Sequence, residues 1–190
     1  RYAACIAASL SLLLLNQQDA VALATFDRQL RKLAPASSNP NHIRTLVHAL
    51  DVEPVAGKTD LEPICRSLAE KLTRRAMVCL VSDLLTEPDA LDRGLQQLRH
   101  RGHEVMVLHV MHEDELTFPF QGNTLFVGLE EGGRLNAQPK ALRAEYLRTV
   151  EAFCADVRRR CLARRVDYKR VSTADNLGAA LAAFLAARSA

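Results

Sequence analysis

The chain has no tryptophan, and aromatic residues make up only 5 % of it. Its core must therefore be aliphatic, and the abundance of Ala and Leu points to helical cover. No two cysteines form a CxxC pair: Cys5, Cys65, Cys79, Cys154 and Cys161 are widely separated. Zinc needs clustered ligands, and none occur. Each cysteine falls in an apolar pattern, so the expectation is five buried, reduced and unpaired thiols in a reducing compartment, the cytoplasm. No phosphate-binding GxxxxGK[ST] loop, dinucleotide GxGxxG or nucleophile-elbow GxSxG is present. Gly57-Lys58-Thr59 looks like the tail of a phosphate loop without its first glycine. A net charge of +3 is too mild to demand nucleic acid or an anionic membrane.

Long apolar runs are also missing. The stretch Ala3–Leu15 is 13 residues, short of the roughly 20 that a membrane-spanning helix needs. No small-residue cleavage site follows it, so it reads as a core helix rather than a signal peptide. The chain opens on Arg1-Tyr2 without a methionine and reads as an N-terminally incomplete piece.

What is present suits one α/β domain over residues 1–190. Residues 2–16 read as a helix, 20–26 as a strand and "RQLRKLAP" as a short edge strand running back from it. After a loop at 35–41, Asn39 is a candidate N-cap with Pro40 at the first helical position. Thr59 and Glu62 have capping-box spacing, and Leu61, Ile64, Cys65, Leu68 and Leu72 then form one apolar stripe. "AMVCLVSD" (76–83) and "HEVMVLHV" (103–110) are near-continuous apolar runs, which suggests strands covered on both faces. Thr86-Glu87-Pro88 starts a helix that stops at Gly102. Residues 112–133 read as an irregular or hairpin excursion. A long helix runs from Pro139 to about Arg164, with Leu142, Tyr146, Val150, Phe153, Val157 and Cys161 inward. "VDYKRV" (166–171) is a last strand, and Ser172 or Thr173 caps a last helix with the stripe Leu177, Leu181, Phe184 and Leu185. Alternating strands and helices predict a three-layer, mostly parallel, Rossmann-like sheet with helices on both faces.

Ligands in such sheets bind beyond the carboxyl ends of the strands. Asp83 sits at such an end, where a carboxylate can bind a hard cation, act as a base or simply accept hydrogen bonds from turn amides. Thr59 has an equally plain role as an N-cap. His103, His109 and His112 are close in sequence but poorly placed to share a metal. "RRRCLARR" (158–165) is basic, yet it lies at a helix end that favours arginine and lacks companion aromatics. "HEDEL" (112–116) offers too few ordered carboxylates for calcium.

The stretches "RYAACIAASLSLLLLNQQDAVALATF", "GKTDL", "RRAMVCLVSDLL", "LRHRGHEVMVLHVMHEDELTFPFQG", "YLRTVEAFCADVRRRC", "VDYKRVSTADNLGAAL" and "FLAAR" occur in order almost end to end. Together they resemble the C-terminal domain of the bacterial domain-of-unknown-function family fifty-eight, which has a von Willebrand factor A-like fold. The resemblance implies a metal-ion-dependent adhesion site, in which Thr59 and Asp83 match the family's Thr and Asp. The DxSxS loop that supplies the other ligands is absent from this chain. It would follow a first strand lying before Arg1, so the site is expected to be degenerate, binding Mg²⁺ or Mn²⁺ weakly unless that loop is supplied. The excursion also departs from the family at Gly128, where an acidic residue commonly precedes Leu-Glu.

The resemblance further implies a non-catalytic interaction or scaffold domain, acting with a MoxR-type AAA ATPase in the assembly or maturation of other proteins. An alternative is a metal-dependent phosphoryl-transfer or hydrolase domain with Asp83 at its centre and Asp27 as the second carboxylate. A third reading is a truncated subunit whose function lies in a missing region. In the family's strand order the absent strand would lie between 20–26 and 77–83. The chain is therefore expected either to close that gap or to borrow a strand from a partner or second copy.

Overall fold

The computed structural model describes residues 1–51, 59–128, 133–178 and 181. Helix α1 spans Tyr2–Asn16 and carries no charged side chain. Apolar residues surround it, and Ile6, Leu10 and Leu15 are the ones that become buried. Among the described residues no helix is long and apolar enough to cross a membrane.

Strands β1 (Val21–Phe26) and β2 (Leu30–Ser37) form an antiparallel hairpin. The returning strand runs on into the expected loop and takes in Pro35, Ala36 and Ser37. A register shift between Val21 and Leu23 falls opposite Pro35, where a residue without an amide hydrogen is tolerated. Helix α2 spans His42–Leu50 with Asn41, not Asn39, at its N-cap position. Asn39 instead accepts the Asn41 amide through Oδ1 at 2.9 Å, bending the chain before the helix begins.

Helix α3 spans Leu61–Lys71, and its N-cap is Asp60, whose carboxylate accepts the Glu62 amide at 3.1 Å. The capping role expected of Thr59 thus falls one residue later. Strand β3 (Met77–Ser82) follows, then helix α4 (Pro88–His100) and strand β4 (Glu104–Met111). As expected, α4 opens with Pro88 and stops before Gly102, whose φ is +82°. The excursion contains a short helix α5 (Glu113–Thr117) and a hairpin of β5 (Thr124–Val127) with β6 (Arg134–Ala137). The rings of Phe118, Phe120, Phe126 and Tyr146 cluster under that hairpin and fix it to helix α6 (Pro139–Ala163). Leu142, expected inside, is 41 % exposed. Strand β7 (Asp167–Ser172) ends the sheet. Helical residues resume only at Leu177, past Ser172 and Thr173. Phe184 and Leu185 lie outside the described residues, as does Gly57-Lys58.

The order of the parallel sheet is β3-β4-β7. Alternation along β4 decides what covers each face. Val105 and Val107 join Leu80, Leu95, Leu98, Val157 and Cys161 in the cluster under α3, α4 and α6. Met106 and Leu108 point the other way, to Ile6 and Leu10 of α1. Both apolar runs are therefore covered on both faces, each buried Val or Leu contributing about 1.5–3 kcal/mol.

Helices α3 and α4 meet at Gly94. A Cβ there would stand 3.0 Å from Cys65 Sγ and 3.1 Å from the Leu61 carbonyl oxygen, so the close approach requires glycine.

The gap that the resemblance places between 20–26 and 77–83 is open among the described residues. The β1–β2 hairpin forms its own two-stranded sheet and does not pair with β3 among the described residues. β1 directs its ladder to β2 and β3 directs its ladder to β4, while α1 packs on both. The described chain therefore does not close the gap between 20–26 and 77–83.

Candidate functional site

The carboxyl end of β3 is a turn held mostly by its own polar groups. Ser82 Oγ accepts the Leu84 amide at 3.1 Å and Asp83 Oδ1 accepts the Leu85 amide at 3.3 Å. The Leu84 carbonyl accepts the Thr86 amide at 2.8 Å. Leu84 is left-handed, with φ +57°, a conformation that costs a side-chain-bearing residue about 1–2 kcal/mol. Its side chain, 1 % exposed, is seated in the core under α3 and α4, and that burial compensates. The turn is thus pinned from inside at Leu84 while Asp83 and Leu85 face solvent.

A second anchor comes from β4. His109 is fully buried, its Nε2 lies 3.0 Å from the Asp83 carbonyl oxygen, and its Nδ1 lies 2.8 Å from the Tyr168 hydroxyl. A carbonyl can only accept, so Nε2 carries the proton, and Nδ1 accepts from Tyr168. Phe153 meets the imidazole edge-on at 5.4 Å. Burial lowers the His109 pKa, partly offset by the Asp83 carbonyl and carboxylate. It also raises the pKa of Tyr168. A neutral His–Tyr pair therefore supports the Asp83 main chain.

The third element is the start of α3. Thr86 Oγ1 donates to the Thr59 carbonyl at 2.9 Å. This bond brings the Thr59 and Asp83 loops together at the carboxyl edge, as their sequence positions suggested. Asp83 has the plain role considered for it, that of accepting a turn amide, and keeps a solvent-facing carboxylate. Sequence reading missed Thr86 and Tyr168; His109 was visible only as a polar residue in an apolar strand.

Other candidates fall elsewhere. Asp27 is used within its own hairpin turn, accepting the Gln29 amide at 3.1 Å and pairing with Arg31. Desolvation raises its pKa, but the Gln29 amide and Arg31 outweigh that and leave it below the usual carboxylate range. His103 immediately precedes β4, at the opposite end of the strand from His109, and His112 caps α5 in a box with Glu115. Among the described residues no three His, Cys, Asp or Glu side chains are grouped to hold a metal. In the basic run, Arg164 pairs with Asp92 through two bonds of 2.8 and 2.5 Å, and Arg160 reaches Asp156 and Asp89. These arginines tie α6 to α4 and to its own turn. None of the five cysteines is in a disulfide, but Cys5 is exposed and Cys79 half-buried, which corrects the expectation that every thiol is inside. Burial pushes Cys65 and Cys161 up to about 12.

Two solved structures share the fold. One is described as a conserved hypothetical protein BatB from Bacteroides thetaiotaomicron. It aligns with a TM-score of 0.61 at 16 % identity, over 96 % of this chain and 85 % of that one. The other is described as an aerotolerance-related membrane protein from Bacteroides fragilis NCTC 9343 with multiple mutations to serines. It aligns with a TM-score of 0.55 at 16 % identity, over 93 % of this chain and 85 % of that one. No curated protein matches significantly. The family model described as "Protein of unknown function DUF58" covers residues 1–155, and with that match the chain belongs to the DUF58 family.

Proposed function

We propose that this chain is a non-catalytic protein-interaction domain of the von Willebrand factor A-like type. Its binding face is the carboxyl edge where the Thr59 and Asp83 loops meet. Its partner is a MoxR-type AAA ATPase acting in assembly or maturation of other proteins, in the cytoplasm. The observation that carries the reading is the Thr86–Thr59 bond, which joins the two loops beside an exposed carboxylate, Asp83, and an exposed apolar side chain, Leu85. A rigid turn carrying both groups suits recognition, because little ordering entropy is lost on binding. The free thiols support a reducing compartment.

A metal ion does not fit these residues alone. Mg²⁺ needs six well-placed oxygens. Asp83 and Thr59 supply one carboxylate and one hydroxyl, too few for that shell, and among the described residues no group of three His, Cys, Asp or Glu side chains completes it. The hydrolase alternative gains no observation, since Asp27 is spent in its own turn.

Surface plasmon resonance between this chain and a MoxR-type ATPase from the same organism tests the reading. Binding weakened at least tenfold by Asp83→Arg or Leu85→Asp is expected. Absence of binding, or binding indifferent to both changes, overturns it.

A further inference from the structure

We infer that the groove between the β1–β2 turn and α3 is a docking site for an acidic protein segment that carries interleaved apolar residues. The groove encloses about 410 Å³ and is lined by Arg28, Arg31, Lys32 and Lys71, over Leu33 and Ile64. Arg31 and Lys32 lie on β2, Arg28 in the turn before it and Lys71 in the last turn of α3, so both sides of the groove carry positive charge. The only carboxylate bonded to any of these four among the described residues is Asp27, on Arg31. Lys32 reaches a main-chain carbonyl, that of Asp51, at 3.5 Å. The Arg28 and Lys71 side chains have no bonded partner among the described residues.

Edge protection explains cations along an open strand, and β2 is one, bearing Arg31, Lys32 and Pro35. It does not explain Arg28 in the turn or Lys71 on the opposing helix. A concave patch of one sign concentrates the field and draws an oppositely charged ligand.

The apolar members select the class of ligand. Leu33 is 38 % exposed within the groove, and Ile64 is the buried floor beneath it. Among the described residues no lining residue is aromatic, so bases find nothing there to stack on. Among the described residues β2 pairs only with β1, so its outer edge can also add an extended peptide through main-chain hydrogen bonds, which neither inorganic phosphate nor a nucleic acid can do. The inference rests on the reading of the chain as an interaction domain, but on a different face from the Asp83 turn.

The test uses the full chain and a fluorescein-labelled peptide of three Glu-Leu-Glu-Gly repeats, followed by anisotropy. Binding is expected at 50 mM salt, weakened at least tenfold at 300 mM. Charge reversal in Arg28→Glu/Lys71→Glu should weaken it at least tenfold, and Arg28→Gln/Lys71→Gln to an intermediate degree. All these side chains are exposed, and unchanged circular dichroism is expected. Asp83→Arg should leave peptide binding intact, which separates this proposal from the ATPase reading. Absence of peptide binding overturns the inference. So does binding unchanged by charge reversal, or equal binding of a Lys-Leu-Lys-Gly peptide or of a 12-nucleotide single-stranded DNA.

Discussion

The imidazole of His109 and the main chain of Asp83 form one unit, with Nε2 3.0 Å from the Asp83 carbonyl oxygen. The ring is fully buried and its other nitrogen is held by Tyr168. His109→Phe would fit the space but leave both a carbonyl and a hydroxyl without a partner. Each such loss costs about 1–3 kcal/mol. We expect His109→Phe to lower stability by about 2–4 kcal/mol and to speed exchange of the Leu85 and Thr86 amides, with His109→Gln restoring part of both. Denaturant unfolding and hydrogen exchange check this; wild-type exchange in the Phe variant would show that the turn does not depend on His109.

At the other end of β4, His103 predicts a pH dependence. Its Nδ1 accepts the Ala76 amide at 3.2 Å, and the ring is 1 % exposed. Desolvation, with Arg101 nearby, lowers its pKa in the folded chain. The unfolded chain, with a pKa near 6.5, then binds more protons at mildly acid pH. Its contribution is fully present above about 6.5, falls as pH drops toward the folded pKa, and is flat below it. His103→Asn keeps an acceptor for Ala76 but does not titrate. Urea midpoints between pH 5 and 8 should show a shallower acid decline in that variant, and identical profiles would contradict the assignment.

The parts of the fold legible in the sequence are those set by local chemistry. The runs at 77–82 and 104–111 became doubly covered strands because their apolar residues are continuous. Pro88 and Gly102 marked the limits of α4 because one lacks an amide hydrogen and the other tolerates positive φ. Capping was legible only to within a residue or two, since Asn39, Asn41, Thr59 and Asp60 are all competent caps and tertiary contacts choose among them. Thr59 and Asp83 could be placed at the sheet's edge, but not the bonds that join their loops. The joining bond comes from Thr86, 27 residues from Thr59, and the Asp83 main chain is held by His109, itself held by Tyr168 59 residues on. The separation of β1–β2 from the parallel sheet followed from the resemblance and not from strand pattern, because pairing partners are set by tertiary packing, and whether the chain closes the gap was not legible at all.

Gly94 gives a test in which two effects oppose each other. Alanine in a helix interior is favoured over glycine by about 1 kcal/mol. Here its Cβ would lie 3.1 Å from the backbone oxygen of Leu61 and 3.0 Å from Cys65 Sγ. Overpacking of that kind costs about 1–3 kcal/mol. The backbone atom belongs to the first turn of α3 and cannot rotate away, so the clash should win. Gly94→Ala is expected to destabilise by up to about 2 kcal/mol and, by shifting α3, to loosen the Thr59–Thr86 bond. Thermal melts together with exchange at residues 59–62 check both, and a gain in stability would mean that α3 yields freely.

The last prediction concerns the two strand edges that the described chain leaves open. Among the described residues β1 pairs only with β2 and β3 only with β4, yet α1 packs on both β1 and β3. β3 accordingly carries the exposure of an edge strand at its start, with Met77 41 % exposed, although its sequence is that of a buried one. Open, apolar edges invite pairing with another chain, and unpaired backbone groups that become buried cost about 1–3 kcal/mol each. The chain on its own is therefore expected to self-associate through these edges. Light scattering should show mass rising with concentration, and exchange in 21–26 and 77–82 should slow in parallel. An extended peptide that occupies the edges should reverse the rise in mass while keeping exchange slow. A monomer at every concentration, with exchange in the two strands independent of concentration, would show that the open edges are stable as they stand.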